Sequence, residues 1–160
     1  MYFTPQHNVP PTTSPAALTK ISEHLVVAFS GDGNATMVVH GYLAETYAGG
    51  SLSVQLIWTT NIITVLNVRW KATFERAEID ALKLSDTTAF GTATTITAAS
   101  AGGVYLLARD SITCTAGATT DSLAAGEAYR LSITRTPGDA LDTLGDGGTA
   151  YIKGVRVIEV

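Results

Sequence analysis

The sequence predicts an all-β fold, an antiparallel two-sheet, jelly-roll-like sandwich over residues 18–160 preceded by an extended N-terminal arm over residues 1–17. Three observations predict it. Two long stretches alternate apolar and polar side chains, the period of a strand with one face buried. Further segments rich in Thr, Val, Ile and Tyr are separated by Gly-rich turns at the spacing of a sandwich. Helical patterns do not alternate with the strands, and no repeat of about 20–50 residues is present, which removes parallel α/β folds and solenoids.

The elements follow in order. Met1 to Ala17 holds Pro5, Pro10, Pro11 and Pro15, four of the five prolines in the chain. Proline donates no backbone hydrogen bond, so this stretch is neither a central strand nor a helix. It reads as an arm laid against a neighbour. Tyr2 and Phe3 at its tip, with Pro5, Pro10 and Pro11, are the expected partner contacts, because solvated tails seldom lead with apolar rings. A short helical turn is expected around Ala16 to Glu23. Leu25 to Phe29 is an apolar run stopped by Gly31-Asp32-Gly33-Asn34, and Ala35 to Leu43 runs on to Gly49-Gly50.

Ser51 to Thr59 sets Leu52, Val54, Leu56 and Trp58 on one face, with Ile57 the exception to the alternation. Thr64 to Ala77 sets Leu66, Val68, Trp70, Ala72 and Phe74 inward against Asn67, Arg69, Lys71, Thr73 and Glu75. Both tryptophans therefore read as core, with a sugar-stacking platform as the alternative. Glu75 to Leu84 has a helix-friendly composition but no convincing cap, and reads as strand extension and loop. Thr92 to Ala98, Tyr105 to Ala108, Ser111 to Thr115, Tyr129 to Arg135 and Tyr151 to Val160 complete the strands.

Composition narrows the function. At 160 residues the chain is long enough for one domain with a real core. Charged residues make up 15% against 46% hydrophobic, so much of the surface is covered by small neutral side chains, and part of it is expected to meet a partner or further copies of the chain. A net charge of −4 with no Lys/Arg cluster argues against nucleic acid. No run approaches the roughly 18 consecutive apolar residues of a membrane span. The first residues show no basic segment followed by an apolar one, so the chain reads as made and folded in a cytoplasm. Cys114 has no second cysteine to pair with and reads as a buried strand residue.

The sequence calls for no catalytic site, no metal and no cofactor. His7, His24 and His40 stand alone, without a ligand-type residue at metal spacing. No nucleophile elbow or phosphate loop occurs. Glu45, Glu75, Glu78 and Glu127 could supply paired carboxylates for glycoside hydrolysis, but none lies on the inward pattern of a well-defined strand. Asp139, Asp142 and Asp146 are spaced three and four apart in a Gly-rich loop. Carboxylates so placed could ligate Ca²⁺, and Asp is equally favoured there because its side chain bonds turn amides. Arg135, just upstream, is expected to pair with one of them and orient the loop before the last strand.

From Val68-Arg69-Trp70 onward the chain carries an ordered series of features. They are Ala89-Phe90-Gly91-Thr92-Ala93 with Thr95 to Ala98, Ala124-Ala125-Gly126, Leu131 to Arg135, Asp139-Ala140-Leu141-Asp142-Thr143-Leu144-Gly145-Asp146, and Ile152-Lys153-Gly154-Val155. In this order they resemble a group of small jelly-roll structural proteins of tailed-bacteriophage virions. The resemblance implies a capsid decoration, or cement, protein on the outer virion surface. Its implied partners are the major capsid protein and itself, as a homotrimer, and it would stabilise the assembled shell by mass action. The alternative is a tail-fibre or tailspike module that binds a receptor or carbohydrate through exposed aromatics such as Tyr42, Tyr47 or Tyr105.

Overall fold

A computed structural model of the chain describes residues 1–77, 90–145 and 147–160. Among them are ten strands: β1 (Tyr2–Phe3), β2 (Ala17–Ile21), β3 (His24–Phe29), β4 (Ala35–Tyr42), β5 (Leu52–Thr60), β6 (Asn67–Ala77), β7 (Thr94–Ala99), β8 (Ala108–Cys114), β9 (Ala128–Arg135) and β10 (Ala150–Glu159). They form two antiparallel sheets. The larger runs β2-β3-β10-β5-β8 with β1 also on β10, and the smaller runs β4-β9-β6-β7. Between β3 and β10 the chain changes sheet at every connection except β6 to β7, the weave of a jelly-roll sandwich.

The alternating stretches face each other across the core. Leu52, Val54, Leu56 and Trp58 of β5 are fully buried, as are Val68, Trp70, Ala72 and Phe74 of β6. These two strands lie in opposite sheets, so the tryptophans meet between layers. Trp58 and Trp70 pack edge to face at 5.7 Å between ring centroids, and Phe29 meets Trp70 the same way at 5.1 Å. The Trp58 indole N–H donates to Asp110 at 2.7 Å, which gives its one polar atom a partner. Ile57, out of phase in the sequence, points to the outer face opposite Gly154 of β10.

Two expectations need correction. The segment expected as a helical turn is β2, paired along its whole length with β3 from Ala17↔Ala28 to Ile21↔His24. Its Ala, Leu and Lys suit a helix, but cross-strand pairing outweighs that weak local preference, and Ser22 takes the left-handed conformation (φ 51°) that closes the hairpin. Tyr105 to Ala108 is not a strand either, since β8 begins at Ala108. Residues 78–84 of the expected extension of β6, together with Glu78 and Asp146, lie outside the described residues.

The arm is extended except for a 3-10 turn at Pro5–His7, and it lies along its own sandwich. Tyr2 and Phe3 pair with Arg156 and Val155 of β10, on the edge where β3 has stopped pairing at Ile152. Phe3 is buried in the core and Pro5 is buried beneath the arm, whereas Tyr2 and Pro10 are exposed. Gly154 makes the docking possible, because a Cβ there would collide with the Tyr2 ring. Farther along, the Val38 amide donates to the Asn8 side chain at 3.1 Å, and the Val9 amide donates to the Val38 carbonyl at 2.8 Å.

Candidate binding groove

The loop between β7 and β8 crosses the outer face of the larger sheet and carries the most exposed cluster of large apolar side chains. Gly102 (φ 73°) turns the chain, and the loop is then pinned to the end of β5. The Tyr105 amide donates to the Thr60 carbonyl at 2.9 Å, and the Thr59 hydroxyl donates to the Leu106 carbonyl at 2.8 Å. Between those anchors Tyr105 adopts φ 60°. A bulky residue there carries backbone strain of about 1–3 kcal/mol, so the surrounding contacts must hold it in place.

Held this way, the Tyr105 ring stands edge to face with Tyr151 of β10 at 5.9 Å between centroids. Tyr105 remains 45% exposed and Tyr151 is half-buried. Burial pushes the Tyr151 phenol above its ordinary value, so its hydroxyl keeps its proton and its donor capacity at neutral pH. The pair divides a groove into two hollows. One, of about 540 Å³, runs from Pro15, Ala17 and Thr19 to Thr149 and Tyr151. The other, of about 230 Å³, is bounded by Ile21, His24, Val26, Thr59, Leu107 and Lys153.

A bulge in β10 aims one of these residues. The register with β5 slips between Ile152 and Gly154, leaving Lys153 without a partner across the strand pair. Its ammonium donates to the Leu25 carbonyl at 3.3 Å, at the groove wall. The smaller hollow is mostly apolar, whereas the larger mixes Pro15 and alanines with Thr19, Ser22, Ser30 and Thr149 beside the tyrosine pair.

The structure distributes the sequence candidates unevenly. Of the three aromatics named for recognition, Tyr105 lines the groove. Tyr42 is exposed beside a separate hollow near Met1 and Tyr129. Tyr47 is buried, with its hydroxyl donating to the Gly50 carbonyl. Trp58 and Trp70 are in the core. His24 borders the groove, His40 is exposed on β4, and His7 accepts from the Thr4 amide at 3.1 Å. Cys114 is buried, and that burial pushes its thiol up, away from nucleophilic reactivity.

Among the carboxylates, Glu75 is ion-paired with Arg130 and Glu127 with Arg76, while Glu45 is exposed. Arg135 and Asp142 form a fully buried two-point pair, Nε to Oδ2 at 3.0 Å and Nη2 to Oδ1 at 2.9 Å. Asp139 pairs with Arg69 at 3.3 Å and accepts from the Leu141 amide at 2.9 Å. These two aspartates thus hold the loop. Among the described residues no group of three His, Cys, Asp or Glu is placed to hold a metal ion.

The groove itself was not visible in the sequence beyond Tyr105. Its walls come from β2, β3, β10 and the 100–107 loop, brought together by the sheet order.

No protein-family model and no curated protein matches the chain. Solved structures do. A family 35 carbohydrate-binding module from an environmental isolate superposes with a TM-score of 0.57 at 8% identity, over 99% of this chain and 92% of that one. The arabinose-bound MgGH51 α-L-arabinofuranosidase superposes with a TM-score of 0.54 at 7% identity, over 95% of this chain and 23% of that one. At these identities the likeness is one of fold.

Proposed function

We propose that this chain is a non-catalytic binding module that holds a saccharide along the groove on the outer face of its larger sheet. The observation that carries the reading is Tyr105, kept in a strained left-handed conformation against Tyr151 where both rings border the groove. A sugar ring offers an apolar C–H face and a rim of hydroxyls, which suits tyrosine rings surrounded by Thr19, Thr59 and Thr149. A sandwich of this kind is a carbohydrate-binding module in the family 35 protein, so the reading asks nothing unusual of the frame.

Tyr105→Gly separates strain from function. Glycine accepts φ 60° freely, so losing the ring's packing is offset by relief of the backbone, and the melting temperature should stay within about 3 °C of the parent. Binding to soluble oligosaccharides, followed by titration calorimetry, should weaken at least about tenfold, as loss of an aromatic anchor does. A broad glycan array with no saturable binding by the parent chain removes the proposal.

A second reading, shell decoration as a homotrimer, draws on a different feature. Ile63, Val65, Val104, Leu106 and Leu107 are all more than half exposed on two loops tied together through Ser100 and Leu66. A capsid protein or further copies of the chain would cover such a patch. This reading expects a mass near three times 16.7 kDa by light scattering. A monomer throughout the micromolar range removes the trimer.

A further inference from the structure

We infer that the groove selects an acidic saccharide, one bearing carboxylate or sulfate groups, over its neutral counterpart; this rests on the saccharide reading above. The chain as a whole is acidic, with 14 Asp and Glu against 10 Lys and Arg. The groove inverts that balance. Lys20 lines the larger hollow and Lys153 the smaller, with His24 beside it, and among the described residues no Asp or Glu lines either one. Glu23, next to His24, is exposed at the tip of the β2–β3 hairpin and lines neither hollow.

The fold sets both lysines against the same residue of β3. Lys153 is the bulged residue of β10, and its Nζ reaches the carbonyl of Leu25. Leu25 is the residue directly opposite Lys20 in the β2–β3 register. Two lysines 133 positions apart in the chain are thus both registered on Leu25 of β3, Lys153 through its ammonium and Lys20 through its place in the β2–β3 pairing. The Lys153 ammonium spends one of its three protons on Leu25, leaving two for a ligand. A sugar stacked on Tyr105 would meet the fixed positive charge of Lys153 and, among the described residues lining the groove, no carboxylate. A partly desolvated wall strengthens that attraction relative to open water.

The test uses the intact chain and two probes, oligogalacturonate and the same oligomer with its carboxyls reduced to alcohols, alongside an array of sulfated, carboxylated and neutral glycans. Acidic glycans should bind at least about tenfold more tightly than their neutral or reduced counterparts, with the preference shrinking between 50 mM and 500 mM salt as screening shortens. Lys20→Gln, at an exposed position, and Lys20→Gln/Lys153→Gln should lower the ratio of acidic to neutral affinity stepwise. Equal binding of acidic and neutral glycans, abolished by Tyr105→Gly, overturns the selectivity and leaves the groove reading intact. Absence of binding to any glycan overturns both.

Discussion

Asp142→Ala should destabilise the chain by about 3–5 kcal/mol, the cost of leaving a buried charge without its partner. For a domain of this length that lowers the melting temperature by about 10 °C or more. The guanidinium of Arg135 is wholly buried and uses all five of its N–H groups. Besides the two bonds to Asp142 it donates to the carbonyls of Phe29 at 3.2 Å, Gly148 at 2.6 Å and Gly145 at 3.0 Å. Asp142 is equally committed, accepting also from the Arg69 amide at 3.0 Å and the Gly145 amide at 3.3 Å. The pair therefore ties the end of β9 in one sheet to the end of β3 in the other, and to the loop that leads into β10.

This wiring gives the prediction a second arm. Many buried ion pairs can be replaced by apolar residues of similar volume at little cost. Arg135→Met/Asp142→Leu should not behave so, because the buried carbonyls of Phe29 and Gly148 would lose the guanidinium donor and the Arg69 amide its acceptor, at about 1–3 kcal/mol for each group left unsatisfied. Thermal denaturation of the single and double variants decides it. A double variant as stable as the parent would show that the loop carbonyls find other donors and that the pair is dispensable.

The second large effect is at the arm. Phe3→Ala should cost about 3–5 kcal/mol, the range for removing a buried aromatic ring from a packed core. Deleting residues 1–7 should cost at least as much. It removes the Met1–Val157 hydrogen bonds at 2.7 and 2.8 Å and exposes the edge of β10 that β1 covers. Pro10→Ala, at an exposed position, is the internal comparison and should change stability by less than about 0.5 kcal/mol. Urea denaturation of the three variants reads the difference. A deletion variant as stable as the parent would return the arm to the role expected from the sequence, a strap free to lie across a neighbour.

What the sequence revealed divides along physical lines. The alternation in β5 and β6 was legible because a half-buried strand writes its faces into every second residue. The Arg135–Asp142 pair was legible because its partners are only seven positions apart, within one loop. β2 was misread because its composition is locally helical and only its partner β3 makes it a strand. The docking of Phe3 depends on a gap between β3 and the far end of β10, where it pairs with Val155 more than 150 residues away. The groove is harder still. Tyr105 could be suspected as an exposed aromatic, but its neighbours Ile21, Val26, Tyr151 and Lys153 carry no common pattern until the sheet order is known.

The position of β10 has a consequence for how the chain comes into being. β10, which follows the other nine strands in the sequence, lies in the middle of the larger sheet, between β3 and β5, and it also receives β1. Until residues 150–159 leave the ribosome, the early strands have no central template, and their unsatisfied edges wait in a crowded cell. Closure then joins β1, β3 and β5 through β10, a topology with the slow acquisition typical of distant strand pairings. Nascent molecules should need shelter from one another until β10 is made, and much less once it has paired.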